Sequence, residues 1–414
     1  MLNFDFFKSV HDKRARNINP KFTPESDAMP QIISLQPRII DIPTVRPHKL
    51  SFGSIQQQSY CIVRIELSDG AVGWGEAATI GGASWNEESP ESILHAVKSY
   101  LTPVVLNQEA SGFEAILQRM DKSCRGNYFA KSAVEMALID AVARSNDLPA
   151  WQLLGGKLHE RLPLAWTLAT GDIAKDLEEA YRKLEERRHR IFKIKIGARS
   201  PQEDVALVSA IARELAGKAR FTVDVNQAWD GNSARRYVPE LADAGVDLIE
   251  QPVAKWNIEG LASLVGMQMR TLIMADESVC TPQDALMLSK QNASQVFSLK
   301  VAKHGGLLRT RKVAAVAEAA DIDWYGGTML ETSLGSAASA HVFSTLPGKH
   351  HGCELFGPQL LVDDIVENPM IVKDFDLHIP DGPGFGVTID EKKLDRFDRS
   401  KQGLNPTHFD LGRK

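Results

Sequence analysis

The chain has 414 residues, of which 43% are hydrophobic and 24% charged, an ordinary composition for a soluble globular protein. A formal net charge of -5 argues against nucleic acid or a membrane surface as the main partner, and no stretch reaches the roughly 18 apolar residues of a membrane span. Cys61, Cys124, Cys280 and Cys353 stand singly with no CxxC pair, which excludes a zinc-finger or disulfide framework and fits a reducing cytoplasm.

The length suggests two domains, or one large barrel with an addition. Residues 1–33 are polar and mixed, contain Pro20, Pro24 and Pro30, and lack a signal-peptide core; they read as a weakly ordered extension. Structure is expected from Ser34. Arg38 to Ile42 reads as a strand stopped by Pro43, and Ser51 to Gln58, polar and glycine-containing, as a loop. Tyr60 to Leu67 and Ala71 to Glu76 read as two strands joined at Asp69-Gly70. Gly81-Gly82 opens a loop carrying Trp85. Helical patterns follow at Pro90 to Tyr100, Gly112 to Met120 and Ala130 to Ser145. Strands first and helices after predict a small α+β domain over 34–160.

From Leu162 the pattern changes. Eight apolar runs alternate with amphipathic stretches: Leu164–Ala169, Ile191–Ile196, Phe221–Val225, Val246–Glu250, Leu272–Ala275, Val296–Val301, Ile322–Gly326 and His351–Phe356. Their spacing of roughly 25 to 30 residues predicts parallel βα units closing into a barrel over 161–360. An open doubly wound sheet is the alternative. Polar residues end most of the runs, rather than clustering at one switch point, which favours the barrel. Residues 361–414 loosen. Phe375 to Pro380 reads as a strand. Asp381 to Gly386 is glycine-rich but has no following helix, so it reads as turns returning to the first domain rather than a phosphate loop. His350-His351 reads as loop or surface, and no GxSxG elbow supports a serine triad with Ser333, His341 or His304.

The chemistry lies at the run ends. Lys193 and Lys195, two apart on a strand, project into one interior, where lysine is costly without an anion. Lys193 beside Lys195 would lower the proton affinity of Lys195, since like charges disfavour the charged form, which is how a lysine comes to exchange protons near neutral pH. Asp224, Glu250 and Asp276 end three successive runs with equal gaps, 250 − 224 = 26 and 276 − 250 = 26. Each alone could be a helix cap. In register they converge and need a cation, and all-oxygen ligands suit Mn²⁺ or Mg²⁺. Lys300 follows one unit later and would face Lys195 across the barrel mouth. Glu331 adds a loop carboxylate able to bond Lys300 or a substrate. A metal with lysine acid–base groups is the arrangement for proton transfer beside a carboxylate.

Lys193-Ile194-Lys195, Asp224-Val225-Asn226-Gln227, Ile249-Glu250-Gln251-Pro252, Ala275-Asp276-Glu277-Ser278 and Lys300 together resemble the enolase superfamily, in its muconate-lactonizing subgroup. The likeness extends to Arg46-Pro47-His48-Lys49-Leu50, Gln56-Gln57-Gln58, Thr79-Ile80-Gly81-Gly82, Gly326 to Glu331 and Glu354 to Pro358. It implies an α+β capping domain over a modified (β/α)₇β TIM-like barrel, a divalent metal on Asp224, Glu250 and Asp276, and conversion of cis,cis-muconate to muconolactone in aromatic catabolism. Lys195 would be the proton donor, Lys300 the charge stabiliser opposite, and Lys193 the residue that tunes Lys195. Asn226 and Glu331 would contact the substrate or the ligands. His48, Lys49, Ile80, Trp85 and Phe356 would surround the substrate. The subgroup also implies a homo-oligomer, often an octamer. Trp85 stands where Tyr is more common and Thr332 where Gly is common, which leaves plain, chloro- or methylmuconate open. Racemases and epimerases of N-acylamino acids or dipeptides, and succinylbenzoate synthase, share the constellation. A catalytically silent metal-binding protein would have lost a lysine or a ligand, and none is missing here.

Overall fold

The computed structural model describes residues 29–51, 53–402 and 409–410, so residues 1–28 of the expected extension lie outside the described residues. The fold is mixed α/β. An antiparallel sheet is built from Ile32–Leu50, Gly53–Leu67 and Val72–Thr79. Two expectations fail here. Pro43 does not stop its strand, because among the described residues Ile32–Leu50 has one strand neighbour, its hairpin partner, and meets only isolated bridges such as Thr44–Leu361 on its other edge, where a missing N–H costs no ladder bond; the register merely slips between Pro43 and His48. The polar stretch up to Gln58 is strand rather than loop. Gln58 is fully buried, and its Nε2 donates to the Met329 carbonyl at 2.8 Å, so its polarity serves a contact with the barrel.

The helix Tyr128–Ser145 packs on the Val72–Thr79 strand so closely that a Cβ at Gly73 would meet the Ala137 carbonyl at 2.2 Å, and one at Gly75 the Ala133 carbonyl at 2.0 Å. Any other residue would force the helix off the sheet. The helix is buried nearly all round, as its run of alanines and aliphatics allows.

The eight runs form eight parallel strands in sequential order: Ala165–Leu168, Ile191–Lys195, Arg220–Asp224, Leu248–Glu250, Leu272–Ala275, Val296–Leu299, Asp323–Gly326 and His350–Cys353. A parallel bridge from Leu164 to Cys353 brings the last strand beside the first. A full helix follows each of the first seven strands, but only the short turn Gly357–Leu360 follows the eighth, which is the modified (β/α)₇β pattern. His350 and His351 are therefore part of the eighth strand, and His351 Nε2 lies 2.8 Å from Asp323. Ala165, Ile191, Leu248, Met274, Val296 and Tyr325 fill the interior as an apolar plug. Side chains alternate along each strand, so Lys193 and Lys195 share the inward face with Ile191 and stand above that plug.

Three buried carboxylates of the first domain tie it to the rest. Glu76 accepts from the backbone N–H groups of Thr332 at 2.9 Å and Gly335 at 3.2 Å. Asp140 accepts from Trp74 N at 2.9 Å and from Phe385 N, in the glycine-rich segment, at 2.9 Å. Glu135 accepts from Leu308 N at 3.1 Å and from Leu307 N, at the start of the helix Leu307–Ala319. Burial pushes the Glu135 carboxyl up to about 7, from an ordinary value of 4.5. A raised folded-state value means that the stability it contributes is complete below pH 4.5 and is lost as pH rises through 7. The Tm of the wild type relative to Glu135→Gln should therefore fall between these pH values in thermal unfolding. A pH-independent difference between the two proteins would contradict this.

Candidate active site

Cross-strand register sets the site. Lys195 pairs with Asp224, and Asp224 with Glu250, at the C-terminal ends of the second, third and fourth strands. Asp276 follows the fifth strand and Lys300 the sixth, four strands from Lys195 and so across the barrel mouth. Asn226, Gln251 and Leu330, just past strand ends, hold left-handed φ values of 44°, 37° and 63°. Non-glycine residues occupy that region only where their surroundings enforce it, as at functional sites. Gln251 shows how the surroundings do so. Its Oε1 accepts from Asp276 N at 3.0 Å and Ser278 N at 3.2 Å, stitching two strand ends together.

Each carboxylate meets an ammonium. Lys195 Nζ donates to Asp224 Oδ2 at 2.6 Å and to Asn226 Oδ1 at 3.1 Å. Lys193 bonds Glu250 Oε2, pairs with Glu354, and lies 3.8 Å from Asp224. Burial works against the Lys193 charge, yet Glu250, Glu354 and Asp224 hold its pKa well above the ordinary lysine value. Lys300 Nζ donates to Asp276 Oδ2 at 2.6 Å and sits 4.5 Å from the Trp85 ring centroid, a cation–π contact. Lys303 Nζ donates to Asp276 Oδ1 at 2.9 Å and to the Ser298 carbonyl at 2.8 Å. Burial alone would raise Asp276, but Lys300 and Lys303 hold it well below the usual carboxylate range.

Lys303, Glu354 and Glu277 carry no assigned role in the sequence reading. Lys303 lies one helical turn after Lys300, a spacing that puts both on one side. Glu354 follows the eighth strand as Asp224, Glu250 and Asp276 end or follow theirs, and that shared placement was the signal available. Glu277, inside a motif already noted, is buried, and Asn226 Nδ2 reaches it at 3.5 Å.

The structure gathers most of the expected substrate residues. His48, Ile80, Trp85 and Phe356 line one chamber with Lys193, Lys195, Asp224, Lys300 and Glu354. The chamber holds only ≈ 20 Å³, room for about one water. Two residues stand elsewhere. Lys49 is exposed and lines a neighbouring cleft, because alternation along its strand turns it away when His48 turns in. Glu331 curls back onto its own loop, accepting from Met329 N at 3.0 Å and from the Thr328 hydroxyl, and makes no hydrogen bond to Lys300.

Among the described residues no group of three His, Cys, Asp or Glu side chains is arranged to hold a metal ion, and Asp224, Glu250 and Asp276 are each turned to a lysine. The donor set nonetheless fits one. Five buried carboxylates (Asp224, Glu250, Asp276, Glu277, Glu354) face four lysines (Lys193, Lys195, Lys300, Lys303), leaving 5 − 4 = 1 excess negative charge. Glu250 Oε1 and Glu277 Oε2 are buried with no hydrogen-bond partner among the described residues. Burial, then the neighbouring carboxylates opposing Lys193, pushes Glu250 up to about 8. A divalent cation with oxygen ligands relieves this crowding.

Residues 34–155 match the model described as "Mandelate racemase / muconate lactonizing enzyme, N-terminal domain", and residues 175–393 the one described as "Enolase C-terminal domain-like". Muconate cycloisomerase 1 of Pseudomonas putida is 47% identical over 360 residues, covering 87% of this chain and 96% of that protein. A chloromuconate cycloisomerase of Cupriavidus pinatubonensis is 44% identical over 369 residues, covering 89% and 99%. The crystal structure of muconate lactonizing enzyme from Pseudomonas fluorescens complexed with muconolactone superposes with a TM-score of 0.88 at 46% identity, over 90% of this chain and 100% of that one. Coverage of both domains at this identity, on a barrel whose strand ends carry the lysines and carboxylates described above, places the chain in the mandelate racemase/muconate lactonizing enzyme family of the enolase superfamily.

Proposed function

We propose that this enzyme is a muconate cycloisomerase, closing cis,cis-muconate to muconolactone. The observation that carries the reading is Lys195 and Lys300 opening from opposite sides of the barrel onto one enclosed chamber. Two ammonium groups suit a substrate with two carboxylates. Glu354, the carboxylate after the eighth strand, is already taken by Lys193, so no free acid is left there for a substrate amine. That favours a dicarboxylate over a dipeptide. Relatives named for muconate and for chloromuconate are similarly close, so both are tested as substrates.

In this reaction one substrate carboxylate adds across the far double bond, a C–O bond forms, and negative charge moves next to the other carboxylate. Lys195 delivers its proton to the carbon that carries that charge, and solvent reprotonates the amine. Lys300 faces the same carbon from the other side and stabilises the charge. Lys193, pinned by Glu250 and Glu354, fixes the floor on which Lys195 stands. Asn226 orients Lys195 through its Oδ1. His48, Ile80, Trp85 and Phe356 exclude water and shape the fit. Asp224, Glu250 and Asp276 would hold Mn²⁺ or Mg²⁺, which supplies electrostatic stabilisation of the developing charge. The same reading carries a cytoplasmic homo-oligomer, checked by light scattering. Among the described residues no helix is long and apolar enough to cross a membrane.

The test follows the ultraviolet absorbance of the conjugated diene. Absorbance should disappear with Mn²⁺ or Mg²⁺ present, stop after chelation, and resume when the ion is restored. Loss that is indifferent to chelation, or no loss with either substrate, would refute the reading.

A further inference from the structure

A second cleft, of ≈ 340 Å³, lies at the seam between the antiparallel-sheet domain and the barrel. Arg125, Lys131, Arg309 and Lys312 line it against one carboxylate, Asp121, giving 4 − 1 = +3. Lys131, only 1% exposed, and Arg309 both bond the same Asp121 Oδ1, at 2.9 and 2.5 Å. Lys312 pairs at 2.8 Å with exposed Glu114, outside the lining. Arg125 is exposed and makes no ion pair among the described residues.

His304 also lines this cleft and is 1% exposed. Its Nδ1 lies 2.8 Å from the Cys280 carbonyl, which can only accept, so Nδ1 carries the ring proton. Burial, reinforced by the Lys303 ammonium, pushes the imidazole down to about 3, so the ring is neutral. Its Nε2 is then a bare acceptor, and it has no hydrogen-bond partner among the described residues. A cationic cleft with a buried acceptor asks for a ligand that is an anion and also carries an O–H. A fully deprotonated anion satisfies the cations and leaves Nε2 unmet.

We propose that this cleft binds inorganic hydrogen phosphate, with Arg125 and Lys312 on its charged oxygens and its P–OH donating to His304 Nε2. Hydrogen phosphate keeps an O–H through the neutral range, whereas sulfate has none. The cleft adjoins the chamber through one turn, Val301–His304. Lys300, which caps that turn, and Lys303 grip Asp276, while His304 serves the cleft. The site is independent of the reaction proposed above and is read without turnover.

Calorimetric titration of the full chain with phosphate, and with sulfate at equal ionic strength, tests it. Sulfate should bind at least about 10-fold more weakly, the cost of one missing hydrogen bond to a buried acceptor. Arg125→Ala/Lys312→Ala, both on the surface, should weaken phosphate binding by about 10-fold or more, as loss of charge-assisted contacts predicts. Lys195→Met, in the chamber, should leave phosphate binding unchanged. Absence of phosphate binding, equal affinity for sulfate, undiminished binding in Arg125→Ala/Lys312→Ala, or loss of binding in Lys195→Met would each overturn the proposal.

Discussion

Lys195→Ala should lower the rate of muconate consumption by about 10²–10⁴-fold, the usual contribution of a positioned general acid. Alanine alone cannot separate proton delivery from charge, because Lys195 also neutralises Asp224 at 2.6 Å. Lys195→Arg separates them. Arginine keeps a cation beside Asp224 and Asn226, so the chamber walls keep their pairing. Its guanidinium does not release a proton near neutral pH. The arginine variant should therefore fold with near-normal Tm, bind substrate within a few-fold of normal by KM, and show kcat as low as the alanine variant. A charge-only role for Lys195 predicts instead that arginine restores kcat. Steady-state kinetics on the two variants decides between these outcomes, and recovery of kcat by arginine removes Lys195 from the role of proton donor.

The parts of this site that the sequence shows are those set by strand period and repeat length. Lys193 and Lys195 share a face because a strand repeats every two residues. Asp224, Glu250 and Asp276 align because each barrel unit has nearly the same length. Neither fact needs a partner residue to be known. Lys303 and Glu354 are different. Each is defined by what it touches, Asp276 for one and Lys193 for the other, and those contacts join segments that only the closed barrel brings together. Glu331 fails for a related reason: the local turn offers it Thr328 and Met329 N, and these outcompete a lysine across the chamber. In the first domain, Pro43 and the Gln56–Gln58 run carry loop-forming local signals. Edge position cancels the first, and a buried bond to the Met329 carbonyl explains the Gln58 end of the second. Local propensity is a weak prior wherever tertiary contacts supply the missing partner.

Asp276→Asn should cost about 3–5 kcal/mol of folding stability, the expected penalty for breaking a buried ion pair from one side. Two ammonium groups converge on this carboxylate, Lys300 at 2.6 Å and Lys303 at 2.9 Å, with both lysines and Asp276 almost wholly buried. Asparagine has one carbonyl oxygen and one NH₂, so it accepts from one lysine and presents donors to the other. One buried cation is then left facing N–H groups. Chemical denaturation in the presence of chelator reads this pairing alone, free of any stabilisation by a bound ion. A second substitution tests the cause. Lys303→Met should destabilise the wild type, where it strips a partner from Asp276. In the Asp276→Asn background the same change removes the unpaired cation and should recover part of the lost stability. The double-mutant cycle should therefore show a coupling of the two residues well above the ~0.3–0.5 kcal/mol scatter of independent sites. Additive effects would mean that Asp276 is held by the strand ends rather than by its lysines. Turnover should be lost in every Asp276→Asn protein, whether or not stability is recovered, because Asp276 both positions Lys300 and stands among the three proposed metal ligands.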